Sequence, residues 1–105
     1  MYFYHGEIKK VIDGDTVDVL LDLGFSTFRL VRCRLARVNT PELKNNNTKQ
    51  QALAVKLKLA AFLAGKAIAV ESKKVDIYGR AISEILADGI NVSDWLLENG
   101  LAEKY

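Results

Sequence analysis

The sequence predicts a β-rich α+β domain, on three observations. Apolar runs with period-two alternation fill the first third of the chain and are broken by the turn signals Asp13-Gly14-Asp15 and Gly24-Phe25-Ser26. A breaker-poor stretch from Ala52 to Ala64 carries helical spacing. Two more short apolar runs follow, and then a capped helical segment that stops at Gly100.

Tyr2 to Ile12 reads as a first strand, and Asp13-Gly14-Asp15 as a hairpin turn. Thr16 to Leu23 is a second strand, since Val17, Val19, Leu21 and Leu23 alternate with Thr16, Asp18 and Asp22; Leu20 breaks the alternation. Thr27 to Val38 is a long third strand in which Val31, Cys33 and Leu35 oppose Arg32 and Arg34. Pro41 ends the strand character. Thr48-Lys49-Gln50-Gln51 fits a capping box, and Ala52, Val55, Leu59 and Phe62 share one helical face, with Leu63 beside them. Gly65 suits the position just past the helix. Ala67 to Glu71 and Arg80 to Ala87 are two further strands around the turn Asp76-Ile77-Tyr78-Gly79. Asp88-Gly89 is another turn. Asn91 and Asp94 are capping residues for a short helix from Val92 to Asn99, with Leu101 as the apolar contact of a Schellman end. Five strands, with a helix between the third and fourth and a short C-terminal helix, is the order of an OB-fold barrel.

The chain of 105 residues holds about one domain, and no Pro/Gly-rich linker divides it. A chain of this size buries roughly 65% of its unfolded surface, and with 50% hydrophobic and 27% charged residues it reads as globular. The longest stretch free of charge, Leu59 to Gly65, has seven residues, far short of the about 20 a membrane helix needs. One cysteine excludes an internal disulfide and a thiolate zinc cluster. The start Met1-Tyr2-Phe3-Tyr4-His5-Gly6 has no leader character, so a cytoplasmic address and no membrane partner are expected. The net charge of +2 conceals an asymmetry: Thr27 to Arg80 holds twelve Lys/Arg against three Asp/Glu, and the rest three against ten. The middle of the chain should attract an anion.

Three segments carry chemistry: Val11-Ile12-Asp13-Gly14-Asp15-Thr16-Val17, Arg34-Leu35-Ala36-Arg37-Val38-Asn39-Thr40-Pro41-Glu42, and Asp76-Ile77-Tyr78-Gly79-Arg80. In this order and separation the set resembles the staphylococcal nuclease (thermonuclease-like) family. The ending Asp88-Gly89, Val92, Leu96 and Gly100-Leu101-Ala102 is similar to the same family. The resemblance spans nearly the whole chain, a single domain over residues 1–105. It implies a calcium-dependent nuclease that hydrolyses phosphodiester bonds of single- or double-stranded DNA and RNA with little sequence specificity. By the resemblance, Asp15, Asn39 and the Thr40 carbonyl would hold Ca2+, Glu42 would be the general base, Arg34 and Arg80 would bind the scissile phosphate, and Tyr78 would help hold substrate.

Those residue types suit the reaction. A hard cation takes oxygen ligands. A carboxylate accepts a proton from attacking water. Guanidinium groups grip phosphate through a planar fork and tighten as charge builds. Arg29, Arg32 and Arg37 are further candidates for phosphate contact. His5 lacks a metal partner at useful spacing, Cys33 reads as a small buried hydrophobe, Trp95 as a packing anchor, and Lys73 and Lys74 as solvated loop residues.

The chain departs from the family pattern at Asn39, where a carboxylate is usual, so calcium affinity should be reduced. The alternative is therefore a nucleic-acid-binding module with weak or no catalysis. Longer family members continue into a third helix that is lacking up to Tyr105. Leu101 and Tyr105 are then expected to be exposed or covered by a second subunit, a route to a homo-oligomer.

Overall fold

The first two strands meet across a two-residue link, Gly14-Asp15, because Val17, Val19 and Leu21 turn one face of the hairpin into the core. The computed structural model describes residues 3–75 and 79–105, apart from the side chains of residues 73 and 75. Its elements are β1 (Tyr4–Asp13), β2 (Thr16–Asp22), β3 (Phe28–Leu35), β4 (Val38–Asn39), α1 (Lys49–Leu63), β5 (Ile68–Val75), β6 (Ala81–Ala87), β7 (Ile90–Asn91), α2 (Val92–Glu98) and β8 (Glu103–Lys104). The main sheet runs β3-β2-β1-β5-β6-β7, and a parallel β3–β6 pairing, Cys33 opposite Ala81, closes five strands into a barrel. β1 serves both β2 and β5, and register shifts at Ile8/Lys10 and Val11/Asp13 bend it between them. This is the expected OB-fold.

The barrel is filled by Val17, Val19, Cys33, Leu35, Val70 and Ile85, and α1 plugs it with Ala52, Val55, Leu59 and Leu63. Phe62, expected on that buried face, is half-buried and stacks on Trp95 of α2, with ring centroids 4.0 Å apart. Asn91 caps α2 by accepting from the Asp94 amide at 3.0 Å. Gly100 has φ 67°, and the bonds Leu101 N to Leu96 O and Gly100 N to Leu97 O form the Schellman end.

Three local expectations are corrected. The third strand does not run to Val38. It ends at Leu35, and Ala36-Arg37 turns the chain, with Arg37 at φ 67°. The Arg37 guanidinium pays for that backbone by pairing with Glu84 at 2.7 Å and Asp94 at 3.0 Å. The capping box does not form: the Thr48 hydroxyl donates instead to the Glu42 and Asn45 carbonyls, and α1 begins at Lys49. The fourth strand extends to Val75, beyond the predicted Glu71, because its partner β6 is long enough to pair with it. Leu101 is half-buried and Tyr105 exposed. Among the described residues no helix is long and apolar enough to cross a membrane.

Candidate active site

The break after β3 is what builds the site. Leu35 N donates to Asp15 O at 2.8 Å and Ala36 N to Ser83 O at 2.9 Å, so the chain is held as it turns. β4 and the segment that follows it then carry Asn39, Thr40 and Glu42 back toward the β1–β2 link. Gly14 lies so close to this segment that a Cβ there would sit 2.9 Å from Thr40 Oγ1 and 2.5 Å from Val55 Cγ1. Only glycine allows the link, the β4 exit and α1 to meet.

The result is a depression of about 700 Å³ at one end of the barrel, lined among others by Asp13, Asp15, Arg34, Asn39, Thr40, Glu42 and Arg80. Six of the seven residues singled out from the sequence thus stand around one depression. The seventh, Tyr78, lies outside the described residues.

Asp15 is buried and fully engaged. Its Oδ1 accepts from Thr16 Oγ1 at 3.1 Å, and its Oδ2 accepts from Thr40 N at 3.2 Å and faces Arg34 Nη2 at 3.4 Å. Arg34 Nη1 donates to the Leu35 and Val38 carbonyls, both at 2.8 Å, while Nη2 reaches Asn39 Oδ1 at 3.3 Å. One half of the fork is thus pinned to the backbone of the turn, and the other half holds two longer contacts inside the depression. Glu42 is exposed on the rim, its carbonyl accepting from Thr48. Arg80 is half-buried.

Two contributors are not evident from residue type alone. Asp13 lines the depression, and its carboxyl is pushed above the ordinary aspartate value by burial first, then by the nearby Asp15 and Glu42 charges, with Lys56 opposing. The signal was present as the first carboxylate of Asp-Gly-Asp, but it read as turn chemistry. Tyr105 enters because β8 pairs with β4, Asn39 opposite Glu103. Its ring lies 5.7 Å from the Arg34 guanidinium carbon, a cation–π distance. No local sequence signal announces that contact. Conversely, two of the arginines considered for phosphate contact have acidic partners. Arg32 forms a two-pronged pair with Asp18 at 2.9 and 3.2 Å, and Arg37 is held by Glu84 and Asp94.

The donor chemistry fits a hard cation. Asp13 Oδ1 and Thr40 Oγ1 are buried oxygens without a hydrogen-bond partner, beside the Asp15 carboxylate and the Asn39 amide oxygen. Among the described residues no group of three His, Cys, Asp or Glu side chains is disposed to hold a metal ion. Amide, hydroxyl, backbone or water oxygens would have to complete the shell.

A family model described as Staphylococcal nuclease homologue matches residues 32–105. An Escherichia coli O157:H7 protein named "Uncharacterized endonuclease" is 31% identical over 102 residues, covering 96% of this chain and 61% of its own length. A Shigella flexneri "Micrococcal nuclease" is 30% identical over 84 residues, 80% of this chain and 43% of that protein. An Escherichia coli "Protein ParB" is 34% identical over 82 residues, 76% of this chain and 40% of that protein. The chain therefore spans at most about three fifths of the length of these curated relatives. With an OB-type barrel, a depression that gathers the motif residues, and a family match over most of its length, this chain belongs to the staphylococcal nuclease homologue family.

Proposed function

We propose that this chain is a calcium-dependent nuclease that hydrolyses phosphodiester bonds of DNA and RNA with little sequence specificity. The observation that carries the reading is the joining of three distant chain segments, with Asp15, Arg34, Asn39, Thr40, Glu42 and Arg80 around one depression. Asp15, Asn39 and Thr40, with Asp13 behind them, would hold Ca2+. When bound, the ion would supply positive charge against the phosphate.

The chain's own groups do the rest. Arg34 and Arg80 orient the phosphate. The two long Nη2 contacts of Arg34, to Asp15 and Asn39, are those an incoming phosphate oxygen would replace, while the Nη1 bonds keep the fork in place. Both guanidinium groups bind more tightly as negative charge grows on the oxygens. Glu42, exposed on the rim, takes the proton of the attacking water. Tyr78 is assigned to substrate holding on the resemblance alone.

The test is incubation with a single-stranded oligonucleotide in calcium and in chelator. Calcium-dependent cleavage is expected, and loss of cleavage in Glu42→Gln. Intact substrate in both conditions would overturn the reading. One observation favours a second reading, a binding module with little catalysis: an amide stands at position 39, hydrogen-bonded to Arg34, in place of a second carboxylate. Chelator-insensitive binding without cleavage would select it.

A further inference from the structure

The outer face of the β2–β3 hairpin starts at the depression and leads away from it. In the ladder Thr16 opposes Arg34, Asp18 opposes Arg32, Leu20 opposes Leu30, and Asp22 opposes Phe28, so these pairs share one face. The first two pairs border the depression, which Thr16, Arg32 and Arg34 line. The next two lie beyond it, and three of their four residues, Leu20, Leu30 and Phe28, are apolar where a surface hairpin would ordinarily be polar. Phe28 is 58% exposed and Leu30 59%. At the tip Phe25 is wholly exposed with φ 53°, a conformation that costs energy for a bulky residue. A row of exposed apolar groups ending in a strained aromatic calls for a partner.

We propose that this face is a stacking platform for the bases of a single-stranded nucleic acid whose phosphate occupies the depression, an inference that rests on the nuclease reading above. Three features on the face select this occupant. It is continuous with the phosphate site through the Arg34 and Arg32 rungs. Asp18, the acidic group nearer the depression, is neutralised by Arg32, while Asp22 at the far end keeps its charge and accepts from the Gly24 amide. Arg34 to Phe28 spans six strand residues, about 20 Å, enough for a few extended nucleotides and within the reach of one OB barrel. Bases stack on aromatic and apolar surfaces in a sequence-tolerant way, and they are free to do so only when unpaired. A duplex keeps its bases inside and gains little from the platform.

The test compares the 105-residue chain with its Phe28→Ser/Leu30→Ser variant. Both side chains are exposed, so the fold should survive, and thermal melts check this. Binding of a twelve-nucleotide oligo(dT) strand, of the dinucleotide TpT and of a twelve-base-pair duplex is measured in chelator. Loss of two stacking surfaces should weaken binding of the strand by about tenfold or more. TpT and duplex affinity should be unchanged. In a Phe28→Trp variant, strand binding should quench the new fluorescence. Equal strand affinity in parent and double variant, or no measurable strand binding by the parent, would overturn the platform. So would a parent dimer, seen by ultracentrifugation, that the double variant dissolves without loss of strand affinity. That outcome would assign the face to a second copy pairing along the part of β3 that β6 leaves uncovered. TpT cleavage in calcium is read separately. If neither TpT nor the oligo(dT) strand is cut in calcium while strand binding still depends on Phe28 and Leu30, the nuclease reading fails and the platform stands.

Discussion

Arg34 couples the fold to the site within one side chain. It ties the turn after β3 through two carbonyls and presents its other amino group to Asp15 and Asn39. Arg80 is half-buried on the same depression, and its expected work lies with the phosphate. Arg80→Lys should therefore keep most of the nucleic-acid affinity and lose about 10²-fold in kcat, since the charge survives and the fork does not. Wild-type turnover in that variant would remove Arg80 from the reaction. Asn39→Asp should raise the calcium-induced shift in Tm and increase cleavage at limiting calcium, because a full charge replaces a dipole. Melts with and without calcium check it, and an unchanged shift would take position 39 out of the ion site. Asp18 gives a pH prediction. Its hydrogen bond from Arg32 holds its carboxyl below the ordinary value of 3.8. The folded state therefore binds this proton less readily than the unfolded chain. The pair's stabilisation is present above the ordinary carboxylate value and is lost as pH falls through it toward the lower folded value. Asp18→Asn should flatten that acid limb of a Tm-against-pH curve and change little in its shape at neutral pH.

At the scale of elements, the β1–β2 link, the broken β3–β4 connection and α1 meet at Gly14. A methyl group there would approach Val55 Cγ1 at 2.5 Å and Thr40 Oγ1 at 2.9 Å. Gly14→Ala should cost about 1–3 kcal/mol as α1 or the β4 exit yields. It should also lower cleavage by more than the loss of folded protein explains, because Thr40 moves. Chemical denaturation and specific activity at a temperature where both proteins are folded separate the two effects. An alanine variant of unchanged stability would show that the contact is loose. The elements also mark where the sequence was legible. The Asp-Gly hairpin, the α2 cap at Asn91 and the Schellman end at Gly100 all appear as read, since each depends on residues within one turn of each other. The end of β3 was not legible. Arg37 falls out of the alternation, but Ala36 and Val38 keep the run apolar, and the groups that hold the turn lie far from it in the chain: Asp15 and Ser83 for the Leu35 and Ala36 amides, Glu84 and Asp94 for the Arg37 guanidinium.

Across the whole molecule, the basic middle of the chain supplies β3, α1 and β5, and the acidic residues gather in the other segments. Several of those opposite charges neutralise one another, as at Asp18–Arg32 and Arg37–Glu84. The field felt by a polyanion is therefore smaller than the sequence count suggests. Nucleic-acid affinity should still fall with salt, with a slope of log K against log salt near −1.4 if Arg34 and Arg80 are the two phosphate contacts on a single strand. Titrations between low and high salt measure it. A flat response would deny the phosphate contacts, and a much steeper one would bring in lysines outside the depression.

The sequence by itself determined the barrel's strand order, the helix between the strands and the gathering of the Asp-Gly-Asp-Thr and Asn-Thr-Pro-Glu segments into one family pattern. The elements follow from alternation and turn chemistry, which act over a few positions, and the grouping of the segments follows from the resemblance to the family. Only the tertiary structure decided that Arg32 and Arg37 serve ion pairs, that Asp13 and Tyr105 border the depression, and that Phe28 and Leu30 face solvent on the rungs leading away from Arg34. Each of these depends on what stands opposite a side chain across strands distant in sequence, and no local pattern records that pairing.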